Sequence, residues 1–157
     1  MFNEKQIHIY HAATIPYQSL EDGNIHYDTV RTHEDFHGQK REESIVWNSA
    51  GEEAYSKLLL LFKLQIDETE HSLAFVQDYT PIASNDLTDD DRATGFQQFS
   101  LGGMDYTRFI HFAKHFIHGA FMVNTDDLHG NHYFLNDLVD PDMYLKLRIT
   151  VLCAYVL

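Results

Sequence analysis

Cysteine occurs once, at Cys153, so no disulfide can close within the chain. Basic residues are scarce: 11 lysines and arginines face 24 aspartates and glutamates, giving a formal charge of −13. A chain this acidic is repelled by nucleic-acid phosphates and by anionic membrane surfaces, which argues against direct nucleic-acid binding. The only basic cluster, His37-Gly-Gln-Lys40-Arg41, runs straight into Glu42 and Glu43. No apolar run approaches the ~20 residues that span a bilayer. The opening Met-Phe-Asn-Glu-Lys-Gln lacks the basic end and apolar stretch of a signal peptide, and no Asn-x-Ser/Thr acceptor occurs. The expected compartment is intracellular, cytoplasmic or nuclear. Signatures of nucleophilic catalysis are missing too: there is no Gly-x-Ser-x-Gly elbow and no glycine loop to cradle phosphate. Cys153 sits in an apolar tail, where thiolate formation is disfavoured.

What is present is enough apolar material for one core. The 157 residues suit a single domain over 1–157, with 44% hydrophobic and 13% aromatic residues. The densest stretch reads Leu58-Leu-Leu-Leu-Phe-Lys-Leu-Gln-Ile66, then Asp67-Glu-Thr-Glu70, then Ser72-Leu-Ala-Phe-Val76. Two apolar runs around a charged connector predict a buried β-hairpin. In that hairpin Leu60, Phe62, Leu64 and Ile66 share one face and Lys63 and Gln65 the other. Ile7-His-Ile-Tyr-His11, residues 25–30, Ser44-Ile-Val-Trp47 and residues 95–101 read as further short strands. Trp47 reads as a packing residue. Residues 31–43 are polar and read as an exposed loop of low order, and residues 83–92 as an acidic one. Residues 107–123 read as two short strands or as a strand and a helical turn.

Asp140-Pro141 supplies an N-cap and a proline at the first helical position, so a helix is expected from there through Ile149. The stretch Val151-Leu-Cys-Ala-Tyr-Val-Leu157 is too apolar to stand in water as a set. It is expected to dock on the protein's own core, the other outcome being pairing with a second copy.

The order of these pieces resembles fungal, mainly basidiomycete, families associated with mobile elements and transposases. The residues that carry the resemblance are Ile7-His-Ile-Tyr-His-Ala-Ala13, Tyr27-Asp-Thr-Val30, the Leu58–Phe62 and Ser72–Val76 runs, Phe109-Ile-His-Phe-Ala-Lys-His-Phe-Ile117, and Tyr133-Phe-Leu-Asn-Asp-Leu-Val-Asp-Pro-Asp-Met-Tyr144. Where that pattern has Trp-Phe or Trp-Tyr after the second hairpin strand, this chain has Asp78-Tyr79. The resemblance implies a β-rich accessory segment and carries no catalytic acidic triad with it.

Among the 11 histidines, His111, His115 and His118 are spaced i, i+4 and i+7. On one helix they would share a face and could ligate zinc or iron. On a strand His118 would leave that face, and isolated half-buried histidines are the commoner arrangement. His129 and His132 could complete such a set, or simply be solvated. The run Asp86-Leu-Thr-Asp-Asp-Asp91 could hold Ca²⁺, but it lacks the alternation, the central glycine and the closing glutamate of an EF-hand loop. A solvated acidic turn is the plainer reading.

The expected fold is a β-rich α+β domain: a small, antiparallel, partly open barrel of about six strands with a C-terminal helix. The expected function is a non-catalytic protein-interaction or structural module that binds a protein partner or itself, with no cofactor, derived from a mobile element. The rivals are a metal-dependent enzyme built on the histidine cluster and a small-molecule binder with an aromatic pocket. One consequence follows from charge alone. The sequence pI is near 5.1, so the mutual repulsion of copies at neutral pH disappears as pH falls toward that value. Light scattering at fixed concentration should rise between pH 7.5 and 5, and a flat trace would contradict this.

Overall fold

The computed structural model describes residues 7–125 and 131–139. In chain order the strands are β1 (Ile7–Tyr10), β2 (Ala12–Gln18), β3 (Ile25–Phe36), β4 (Gln39–Glu42), β5 (Ser44–Ser49), β6 (Glu52–Ile66), β7 (Thr69–Pro81), β8 (Gln98–Leu101), β9 (Thr107–His111), β10 (Phe116–Ala120), β11 (Met122–Asn124) and β12 (His132–Leu135). Two short α-helices, α1 (Asp89–Thr94) and α2 (Phe112–His115), interrupt them.

The β6–β7 hairpin is the spine. Its strands pair from Ser56↔Asp78 out to Ile66↔Thr69, around a two-residue Asp67-Glu68 turn with Asp67 in the left-handed region (φ 54°). The expected hairpin is therefore present, and its strands are longer than the apolar runs that announced them. Their length lets each outer edge take two partners. On β6, β5 pairs near the start and β1 near the tip; on β7, β8 pairs near the end and β9 toward the tip. Every pairing is antiparallel. The result is a nine-stranded sheet beside a three-stranded sheet, β2-β3-β4. No closed barrel forms among the described residues, and the strands exceed the expected six because partners spread along the long hairpin instead of closing on themselves. The expected C-terminal helix and the apolar tail lie outside the described residues.

Residues 31–43, read from the sequence as a loose loop, are instead the distal part of β3 and all of β4. Their turn is His37-Gly38, with positive φ at both positions (55° and 80°), the geometry of a tight two-residue hairpin. The Asp35 carboxylate accepts from the Gly38 amide at 2.7 Å. What holds the hairpin down is polar: Arg31 N–H donates to Glu43 Oε2 at 2.8 Å, and Thr32 Oγ1 donates to the Leu59 carbonyl at 2.9 Å. The charges that made the stretch look solvated are its cross-links. Lys40 and Lys57 both pair with the nearly buried carboxylate of Glu42. Burial pushes that carboxyl up, and the two ammonium groups more than reverse this, holding it below its ordinary value.

A bulge between Leu58 and Leu60 sets which side chain faces where. It frees the Leu59 carbonyl for Thr32 and puts Leu58 and Leu61 into the same core. That core joins Val30, Ile45, Trp47, Ala74, Val76, Ile110 and Phe112, with Ala13 and Ile15 of β2 packed against it. Trp47 is buried there, as its packing role requires. A polar chain runs along its border: Trp47 Nε1–H donates to Ser56 Oγ, and Ser56 donates to Asp78 Oδ1, both at 2.8 Å. Arg108 pairs with the same carboxylate and lies over the Trp47 ring. A second core, Val46, Tyr55, Tyr79, Phe99 and Leu135, packs on the opposite face. There burial pushes the Tyr79 phenol up to about 12, although its bond with Ser44 pulls the other way.

Leu58 is fully buried where the bulge, β3 and β7 meet. Leu58→Ala should cost about 2–5 kcal/mol of unfolding free energy, because the bulge restricts collapse into the space left. Leu20→Ala, at an exposed turn, should cost little. Urea midpoints of the two variants check the contrast.

Candidate interaction face

Directly paired residues in an antiparallel ladder lie on the same face. The register Ile9↔Phe62↔Leu73↔His111 and Ile7↔Leu64↔His71, continued by Leu60↔Phe75↔Phe109, therefore builds one surface across β1, β6, β7 and β9. It is aliphatic and aromatic over most of its extent, with two histidines at its β7–β9 margin. Phe109 packs on Phe75 (ring centroids 4.8 Å apart) and meets Phe62 edge-on (5.8 Å). Only Phe62 among these residues is buried; Ile7, Ile9 and Phe109 are 59%, 60% and 65% exposed.

The sequence reading assigned Leu60, Phe62, Leu64 and Ile66 to one side of a buried hairpin. The side is right, and the burial is not. The neighbouring residues Leu61 and Ala74 face the closed core, whereas this side has no covering layer among the described residues. The second core covers the same face only at its Tyr55–Tyr79 end. The exposure of Ile7, Ile9 and Phe109 carried no signal in the sequence, because alternation marks the two faces of a strand without saying which of two apolar faces is covered.

The structure does not bring the expected histidine ligands together. His111 ends β9 and stands beside His71, with ring centroids 5.8 Å apart. His115 ends α2. His118 is buried on β10, where its Nδ1–H donates to the Gly119 carbonyl at 2.6 Å, Asp28 lies 3.4 Å away and Tyr17 meets it edge-on. The helix that would have aligned all three is a single turn, so the i, i+4, i+7 face never forms. Among the described residues no group of three or more histidine, cysteine, aspartate or glutamate side chains is placed to hold a metal ion. His132 opens β12, and His129 lies outside the described residues.

The acidic run has a local task. Thr88 and Asp91 form a reciprocal capping box at the start of α1, and Asp89 pairs with Arg92. The Thr-x-x-acid spacing and Gly95 at the C-cap were the readable signals. A cleft of about 510 Å³ lies between Ile9, Tyr10, His11, Thr32, His33, Leu59 and Leu60. Besides the His11 and His33 imidazoles its wall has one aromatic ring, Tyr10, which is too little for the aromatic pocket considered from composition.

His111 is the unusual titratable group at the margin of the face. Its Nδ1 is buried with no hydrogen-bond partner among the described residues. Burial, then the charge of Lys114 and the neighbouring His71 and His115, holds its protonation below the ordinary histidine value of 6.5. No helix among the described residues is long and apolar enough to cross a membrane. Comparison with protein-family models, curated proteins and solved structures finds no match to this chain.

The His111 shift has a definite sign. A base whose folded pKa lies below its unfolded value binds the extra proton first in the unfolded chain, so stability is lost as pH falls through about 6.5. His111→Asn should flatten that part of the loss. Urea midpoints of the wild-type and variant chains at intervals from pH 7.5 to 5.5 check it, the wild type falling more steeply.

Proposed function

We propose that this chain is a non-catalytic protein-interaction module that docks an apolar segment of a partner protein on the β1-β6-β7-β9 face. The observation that carries the reading is the uncovered aromatic and aliphatic surface around Phe109, Phe75, Ile9 and Ile7, set on strands fixed by paired backbone. Contiguous exposed apolar area on a folded domain marks an interface. Preformed aromatic side chains on a sheet bind with little loss of side-chain freedom. The high negative charge of the body keeps free copies apart and restricts partners to neutral or basic segments. An origin in an accessory segment of a mobile-element protein fits this role; its support is the resemblance carried by the Leu58–Phe62, Ser72–Val76 and Phe109–Ile117 runs.

Peptides displayed on phage and selected on the full chain should be rich in aliphatic and aromatic residues and poor in acids. Their binding should be lost in Phe109→Asp and in Ile9→Asp and kept in Leu20→Asp, which changes an exposed residue on the β2–β3 turn. All three positions are exposed, so the fold should survive each change. Binding that ignores both face variants, or no enrichment of such peptides, would overturn the proposal.

A further inference from the structure

We infer that residues 140–157 of this chain form a strap that occupies the β1-β6-β7-β9 face in the free protein and is displaced by a partner. The inference rests on the interaction role of that face and names its resting occupant. Three observations point to this segment. The first is position. The described chain ends at Val139, just after Leu135 has packed beside Tyr55 in the second core and Asp137 has come close enough to act on the Tyr55 phenol. Tyr55 lies on the same side of β6 as Leu60, Phe62 and Leu64, because Tyr55 and Tyr79 share the second core and Tyr79, Phe75 and Leu73 alternate along one face of β7. The chain therefore leaves the described fold at the covered end of the face whose other end is bare.

The second observation is reach. From Tyr55 to Phe62 is seven strand residues, roughly 23 Å. The segment has 18 residues, which span about 27 Å even when helical and about 60 Å when extended. The third is composition. Twelve of the 18 are apolar, including Leu145, Leu147, Ile149, Val151 and Leu152. Lys146 and Arg148 balance Asp140 and Asp142, so the segment adds no charge to a body that already repels its own copies. An apolar segment tethered this close has a high effective concentration at the face, which favours it over a second copy.

Cys153, the only thiol, lies within the strap and reports on it. In the full chain its reaction with Ellman's reagent should be at least about tenfold slower than in the urea-unfolded chain, since reaction would await local release. Phe109→Asp and Ile9→Asp should restore the fast rate while the near-ultraviolet circular dichroism of Trp47, buried in the core on the other face, stays native. In Phe109→Cys, oxidised glutathione should close a disulfide between positions 109 and 153 within one chain, and Leu20→Cys should give none. Fast labelling of the wild-type thiol overturns the strap. So does a cross-link found only between chains, which would place a second copy on the face. Leu152→Asp should loosen the strap and tighten binding of the selected peptides. Fast labelling with peptide binding intact removes the strap and leaves the interaction role. Face-dependent protection with no peptide bound, even by Leu152→Asp, keeps the strap and removes that role.

Discussion

The backbone ladder between β6 and β7 is the constraint on which the rest depends. Neither the β5 nor the β9 pairing would have an edge to join without it, and the β3–β4 hairpin hangs on the carbonyl that its bulge releases. The bulge at Leu59 converts four consecutive leucines, which simple alternation would divide two and two, into a core pair, Leu58 and Leu61, and an outward Leu60. The extra residue thus decides how much of the chain's richest apolar run seals the interior and how much is left as surface.

The two faces of that ladder are finished differently. On one, the β2–β3 arm and α2 supply a complete covering layer, and the polar groups at its border are satisfied in series from Trp47 through Ser56 and Asp78 to Arg108. On the other, covering stops at Tyr55, Tyr79 and Phe99. A domain whose strands are well satisfied on one side and bare on the other has its specificity in surface shape and apolar area, and none of the convergent titratable groups that acid–base chemistry needs. The buried histidines fit this picture: His118 ties β10 to β3 through Asp28 and Gly119, a structural junction between the two sheets.

The sequence announced the hairpin, the short strands and the packing of Trp47, because alternation of apolar side chains is a local signal. It misled at residues 31–43, where Arg31, Lys40, Arg41, Glu42 and Glu43 read as solvated charges but make ion pairs across β3, β4 and β6 that only the folded register reveals. It also misled over barrel closure, since strand count is local and edge pairing is not. Asp78 and Tyr79, which replace the aromatic pair of the resembling families, are used differently here: Asp78 closes the polar chain under Arg108, and Tyr79 carries its hydroxyl to Ser44. The uncovered face was invisible because hydrophobic patterning records that a side chain is apolar and says nothing about whether another layer arrives to cover it.

The pairing of Glu42 with Lys40 and Lys57 has one more effect. β4 is the outer strand of the three-stranded sheet, and an outer strand is a template for adding another chain. Its sequence, Gln-Lys-Arg-Glu, is charged at three consecutive positions, and a newcomer laid along it would have to strip water from Lys40 and Arg41 while competing for the Glu42 carboxylate. This margin of the fold is guarded against fibril-like growth, so association between copies is steered away from backbone pairing at β4 and toward side-chain contact elsewhere.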